Sequence, residues 1–172
     1  VAGPGLNEEA DDHLHLVWKS KLPMVLDAYG LRWLAQNSLP KRTNNWIGTP
    51  HCGETIELLG KYKTESNRFI QLRLLNKIYG GQWILKGPGT LVGPNPTYVN
   101  NFANGILATA GTGDVLAGIA GGMIAHGYSK AAALATHIHS ESARKIITQK
   151  SSRLIASDLL KNIGIIMNQL ER

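Results

Sequence analysis

Apolar residues in this chain alternate between short runs and longer stretches with helical spacing. Residues 23–27 (PMVLD) and 46–50 (WIGTP) are short apolar runs of the kind that forms buried strands. Residues 64–79 place apolar side chains three and four positions apart, which indicates a helix with one buried face. The same criteria predict further helices at 9–21, 28–36, 51–60, 115–125, 129–149 and 154–170. They also predict the end of a strand within 1–6 and a loop at 37–45. Residues 82–93 read as two strands separated by a glycine break, and residues 89–100 as a hairpin.

The order of these elements predicts an α/β fold with a mainly parallel sheet, because strands and helices alternate. The chain has 172 residues, enough for one domain with its own core, so we expect residues 1–172 to form a single domain. Ligands of such sheets bind beyond the carboxyl ends of the strands. We therefore expect one edge of the sheet to collect the residues that follow predicted strands: Gly3-Pro4-Gly5, Asp27, His51 and Lys86-Gly87.

A glycine-rich turn, Gly111-Thr112-Gly113-Asp114, leads into the helix predicted at 115–125. The start of a helix directs unpaired backbone N–H groups at one point, which favours an anion such as phosphate. We therefore predict an anion hole at Gly111, Thr112 and Gly113. A carboxylate beside it would repel the ligand, and a role for Asp114 as general base in phosphoryl transfer explains its presence. The alternative is that Asp114 only favours the helix start and the glycines only form a turn.

Three other candidates each allow two interpretations. Lys86 to Thr90 combine a cation, two glycines and a hydroxyl, which suits either a nucleotide phosphate or a hairpin turn with a solvated lysine. His51 could contact a ligand, although a lone loop histidine is more often merely exposed. Asp27 could hold a metal-bound water or cap the following helix, and the cap is favoured.

Composition narrows the possible partners. The net charge of +6 at pH 7 is spread without a run of basic residues, so it predicts no nucleic-acid face but suits anionic substrates. Cys52 is the single cysteine, which excludes an internal disulfide and agrees with a reducing, cytoplasmic compartment. No apolar run has the length of a membrane span. We predict no metal-ligand set, since His137 and His139 stand two apart, on different sides of a helix.

Seven motifs occur in an order that covers almost the whole chain: GPGL (3–6), VLDAYGL (25–31), TPHCGE (49–54), LKGPGT (85–90), YVN (98–100), ATAGTGDVLAGI (108–119) and ASDLL (156–160). Together they closely resemble the ADP- or ATP-dependent NAD(P)H-hydrate dehydratases of the ribokinase-like superfamily. The glycine-rich turn alone marks only the superfamily, whereas its combination with TPHCGE and LKGPGT is far more specific.

The resemblance implies a three-layer α/β/α sandwich and a metabolite-repair reaction. In that reaction, ADP or ATP phosphorylates the hydroxyl of hydrated NADH or NADPH, and loss of phosphate restores the cofactor. A Mg²⁺ ion would bridge the phosphates. By resemblance, Asp114 is the catalytic base and, with Gly5 and His51, contacts the hydrated dinucleotide, while the adenine nucleotide contacts Lys86, Gly87, Pro88, Gly89, Thr90 and Gly113.

The chain departs from the family pattern in a few places. Tyr29 stands where an acid is usual, Ala103 where a glycine is usual, and His139-Ser140-Glu141 replaces a more glycine-rich segment. The family's domain also has a substantial part before GPGL, so the resemblance implies an N-terminally truncated domain. We expect such a chain to associate with itself or with the missing segment, because an open sheet edge is unfavourable.

Two other functions remain open from the sequence. One is a ribokinase-like kinase of a small molecule such as a vitamin precursor, which TPHCGE disfavours. The other is an inactive chain that only binds a nucleotide.

Overall fold

The computed structural model describes residues 1–148 and 153–170, and within these ranges it contains five strands and seven α-helices. The strands are β1 (Met24–Leu26), β2 (Arg42–Gly48), β3 (Gly80–Leu85), β4 (Leu91–Gly93) and β5 (Tyr98–Val99). The helices are α1 (Asp11–Lys19), α2 (Tyr29–Gln36), α3 (Cys52–Leu59), α4 (Arg68–Tyr79), α5 (Thr112–Ala125), α6 (Ala131–Thr148) and α7 (Ala156–Leu170). No helix in the described ranges has the length and apolar character needed to cross a membrane.

The strands form one sheet in the order β1-β2-β3-β4-β5. β1, β2 and β3 are parallel, and β4 and β5 continue the sheet antiparallel. Ala2 adds a parallel bridge to Leu26 at the outer side of β1, which confirms the strand end predicted within 1–6. The predicted parallel sheet and the hairpin at 89–100 are also confirmed.

Side chains alternate between the two faces of this sheet, and each face carries a layer of helices. Strand residues on one face pack with α1 to α4, and those on the other face pack with α5 to α7. Leu26, Trp46, Trp83 and Leu91 belong to the first core, and Val25, Ile47, Ile84 and Val92 to the second. The three-layer α/β/α arrangement is therefore confirmed.

All four tryptophans lie in the first core. Trp18 contacts Trp46 with ring centroids 5.1 Å apart, and Trp46 contacts Trp83 at 5.0 Å, both nearly edge to face. Trp33 joins this row through Trp18 at 6.2 Å. Such pairs add to the stabilisation gained by burying the rings themselves.

Three predicted boundaries are wrong, and one of them is the start of α5, which lies at Thr112 and not at Val115. The loop predicted at 37–45 ends early, because β2 already begins at Arg42. The Arg42 guanidinium is buried and donates to the carbonyls of Val17, at 3.0 Å, and of Trp18, at the end of α1. These bonds hold a polar residue at the start of a strand. The helix predicted from residue 64 begins only at Arg68, because the Asn67 side chain accepts from the Phe69 amide and caps it.

Candidate functional site

Side chains that follow β1 and β3 meet at one edge of the sheet. The Nζ of Lys86 lies 2.8 Å from Oδ1 of Asp27 and 3.8 Å from Oε2 of Glu54 on α3. The Asp27 side chain is only 3% exposed, and a buried carboxylate is stable only when it is paired. The prediction that Asp27 caps α2 is wrong, since the capping position is Ala28 and no side chain caps this helix.

His51 follows β2 and caps α3. Its Nδ1 accepts from the Glu54 amide at 3.2 Å, and its own amide donates to Oε2 of Glu54 at 2.7 Å. This reciprocal pair fixes the backbone at the helix start, while the imidazole stays 61% exposed. His51 is therefore held in place and still available to a ligand.

The glycine-rich turn brings α5 to the same edge. Gly111 precedes the helix with a φ of +82°, a left-handed conformation that favours glycine. Gly113 lies at the ion pair, since a Cβ placed there would be 3.5 Å from Nζ of Lys86 and 3.9 Å from Oδ2 of Asp27. The predicted nucleotide turn and the predicted anion turn thus face each other across Lys86.

Within the turn, the amides differ in availability. The Thr112 amide donates to the Thr109 carbonyl at 3.2 Å, and its hydroxyl donates to the carbonyls of Leu107 and Thr109. The Gly113 and Asp114 amides have no acceptor in the part of the chain that the structure describes. The Gly113 and Asp114 amides are therefore available to an anion, whereas the Thr112 amide is already used within the turn.

A cavity of about 630 Å³ opens beside this edge. It is bounded by the 86–90 turn, the loop before α5, the start of α5 and one side of α6. Most of its lining surface is apolar, and its polar groups come from the two glycine turns, the loop before α5 and α6, as is typical of ligand sites. Its lining includes His51, Lys86, Asn100, Gly113, His139 and Ser140.

Asp114 lies on the first turn of α5 and is exposed, not turned into the interior. It borders an apolar groove between α5 and α7, while its neighbour Gly113 lines the main cavity, so the two openings meet at the first turn of α5. Gly5 is exposed with a φ of +71°, and Gly3, two residues earlier, packs its backbone against the carbonyl of Asp27. Of the three predicted substrate residues, His51 lines the cavity, whereas Gly5 and Asp114 lie near the edge but outside its lining.

The profile of NAD(P)H-hydrate dehydratases matches residues 1–164 of the chain. The chain belongs to the NAD(P)H-hydrate dehydratase family. A bifunctional NAD(P)H-hydrate repair enzyme of Coxiella burnetii is 37% identical over 177 residues, which cover 98% of this chain and 36% of that protein. An ADP-dependent (S)-NAD(P)H-hydrate dehydratase of Neisseria meningitidis is 38% identical, over 80% of this chain and 49% of that protein.

Comparison with solved structures supports the same family. A crystal structure of the ADP/ATP-dependent NAD(P)H-hydrate dehydratase of Bacillus subtilis, co-crystallised with ATP and Mg²⁺, superimposes with a TM-score of 0.84 and 27% identity. The match covers 98% of this chain and 64% of that one, so the chain spans about two thirds of the dehydratase structure and about a third of the Coxiella relative.

The structure adds Arg68 to the candidate site, although nothing in the sequence indicated it. From the start of α4, its guanidinium donates to the carbonyls of Leu85 (2.8 Å), Pro88 (2.8 Å) and Gly89 (3.0 Å). It therefore fixes the backbone of the predicted nucleotide turn from outside. No local pattern reveals this, because all three partners are backbone atoms at least 17 positions away.

The loop before α5 is fixed in a similar way by Asn100. Its Nδ2 donates to Oγ of Ser140 at 2.9 Å, and its Oδ1 accepts from the Phe102 amide at 2.9 Å. Asn104 fixes the same loop, since its Oδ1 accepts from the Ile106 amide at 2.9 Å.

His139 lies on α6 at the wall of the cavity and was also missed. It is 7% exposed, and its Nε2 lies 2.9 Å from the Thr112 carbonyl oxygen. Burial, together with the positive charge of Lys86, lowers the pKa of this imidazole to about 4, although the hydrogen bond to Thr112 acts in the opposite direction. The ring is therefore neutral at pH 7.

Proposed function

We propose that this chain carries the nucleotide-dependent dehydration of hydrated NADH or NADPH, with ADP or ATP as phosphoryl donor. The observation that carries the proposal is the position of Lys86 between two glycine turns, one offering free amides and the other a backbone fixed by Arg68. Such an arrangement suits the phosphates of a nucleotide. Family membership and the names of the relatives support the same substrate pair.

In the proposed reaction, the substrate hydroxyl oxygen bonds to the terminal phosphorus of the nucleotide, and the bond from that phosphorus to its bridging oxygen breaks. The hydroxyl proton passes to the Asp114 carboxylate, and the Gly113 and Asp114 amides stabilise the charge on the phosphoryl oxygens. Loss of inorganic phosphate from one ring carbon and of a proton from its neighbour then restores the double bond. Lys86, Gly87, Pro88, Gly89 and Thr90 hold the nucleotide, and Gly5 and His51 hold the hydrated dinucleotide.

The residues at the edge also fit a magnesium ion. Glu54, 3.8 Å from Nζ of Lys86, is the carboxylate that would hold Mg²⁺ beside the phosphates, since Asp27 is buried and paired with Lys86 at 2.8 Å. Among the described residues there is no cluster of three or more His, Cys, Asp or Glu side chains that would hold a metal without a substrate. When bound, the ion would neutralise phosphate charge.

The decisive experiment incubates the purified chain with hydrated NADH and ADP, or ATP, and follows the recovery of NADH absorbance. We expect Asp114→Asn to lose at least ~100-fold in turnover while retaining ADP binding. Asp158→Asn is the matched control, because Asp158 occupies the first turn of α7 as Asp114 occupies that of α5. Phosphorylation of a vitamin alcohol without NADH recovery would instead identify a small-molecule kinase. ADP binding with neither activity would identify a chain that only binds nucleotide.

The proposal extends to assembly and location. Exposed apolar residues along α7, among them Leu160 and Ile165, support association of the chain with itself or with a further segment of a dehydratase domain. A stable monomer with full activity in light scattering would contradict this. We also propose that the chain acts in the cytoplasm, in keeping with its single cysteine.

A further inference from the structure

The hydrogen bond of His139 ends on the peptide that carries the anion-site amide. A carbonyl oxygen only accepts, so Nε2 of His139 bears the proton and donates it to the Thr112 carbonyl at 2.9 Å. The imidazole is therefore the neutral tautomer with its proton on Nε2, in keeping with its burial.

The Thr112 carbonyl and the Gly113 N–H belong to one planar trans peptide, in which they point in opposite directions. A donor that holds the carbonyl oxygen on the α6 side therefore fixes the direction of the Gly113 N–H. That N–H has no acceptor among the described residues, and Gly113 lies at Lys86 in the cavity. Donation to the carbonyl also polarises the peptide and strengthens its N–H as a donor.

Within α5 the Thr112 carbonyl also accepts the helical bond from the Leu116 amide, so His139 is a second donor to the same oxygen. The Thr112 hydroxyl is used on the carbonyls of Leu107 and Thr109, and Gly113 has no side chain that could restrain its backbone. Gly111 precedes them in a left-handed conformation and adds further freedom. The contact from α6, 27 residues away in sequence, thus adds to the helical bond and ties the Thr112–Gly113 peptide to a second element.

We propose that His139 is a positioning residue of the anion site, which orients the Gly113 amide toward the bound phosphoryl group. The proposal rests on the proposed function, in that the anion is a nucleotide phosphate. His139 itself does not touch the nucleotide phosphates in this role.

The test compares ADP with adenosine, which lacks the phosphates, by isothermal titration calorimetry. His139→Leu removes the donor, and His139→Gln keeps an N–H at a similar distance from Cα. Ser142→Ala is the control, because Ser142 is buried on the same helix and, among the described residues, its hydroxyl bonds only to the Ile138 carbonyl of that helix. We expect His139→Leu to weaken ADP at least ~10-fold with adenosine unchanged, and His139→Gln to restore most of the affinity. Equal weakening of ADP and adenosine, or none, would overturn the proposal.

A second readout needs no ligand. In ¹⁵N-resolved NMR spectra of the labelled chain, loss of the bond to the Thr112 carbonyl shifts the Gly113 amide resonance in His139→Leu and leaves it in place in Ser142→Ala. An unmoved Gly113 resonance refutes the positioning role. If the wild-type chain binds no ADP, the proposed function fails, and this spectrum still decides whether His139 orients the peptide.

Discussion

Acidification tests the buried, neutral state of His139 directly. The pKa of this imidazole is about 4 in the folded chain, against 6.5 for a free histidine. Between these two pH values the unfolded chain takes up a proton that the folded chain does not accept, so the free energy of unfolding falls as the pH falls. The contribution of this pKa difference to the free energy of unfolding is fully present above pH 6.5 and is lost as the pH falls toward about 4.

The expected size follows from the same two values. Each pKa unit corresponds to about 1.4 kcal/mol, so the interval gives a loss of about 3 kcal/mol between pH 7 and pH 4. His139→Gln lacks this titration but keeps a hydrogen-bond donor. All other acidic and basic groups are common to both chains, and their contributions therefore cancel when the two chains are compared.

The assay is urea unfolding followed by circular dichroism at several pH values from 7 to 4. With a denaturant dependence of about 2 kcal/mol per molar urea, the midpoint of the wild-type chain should fall by about 1.5 M more than that of His139→Gln. If the urea midpoints of the two chains fall equally with pH across this range, His139 is not a buried neutral histidine, and the tautomer with its proton on Nε2 is refuted as well.

Two further substitutions test the edge of the sheet. Arg68→Met should weaken ADP at least ~10-fold in calorimetry by releasing the carbonyls of the 86–90 turn, while Arg73→Met, an exposed arginine on the same helix, should have no effect. Asp27→Asn should lower the free energy of unfolding by about 3 kcal/mol, because Lys86 is then left with only Glu54 at 3.8 Å. The double variant Asp27→Asn with Lys86→Met should recover at least half of that loss in urea, and a double variant as unstable as the single one would contradict the pairing.

The fold was largely predictable because its signals are local. The apolar runs at 23–27 and 46–50 mark strands, and the spacing over 64–79 marks a helix, since burial on one or both sides leaves a periodic trace in the sequence. The start of β2 was not predictable, because Arg42 lies there through carbonyls of α1 about 25 positions away. A polar stretch held by such contacts is indistinguishable from a loop in sequence.

In the candidate site, too, only the residues with a local signal in the sequence could be predicted. Its glycine turns and Lys86 could be located, since each combines unusual residue types within a few positions. Arg68 and His139 could not, because their partners are main-chain carbonyls, which every residue possesses and which leave no mark in the sequence. Asp27 was located but misinterpreted, since its partner Lys86 is 59 residues away and a helix start lay next to it.

The row of tryptophans on one face of the sheet has a consequence for spectroscopy. All four indoles lie on the α1–α4 side, whereas α5, α6 and α7 contain none. Intrinsic fluorescence is therefore sensitive to only half of the molecule, and melting of the helices around the glycine-rich turn would leave the emission blue-shifted while ellipticity falls. Coincidence of the two signals during denaturation would mean that both halves unfold as a single cooperative unit.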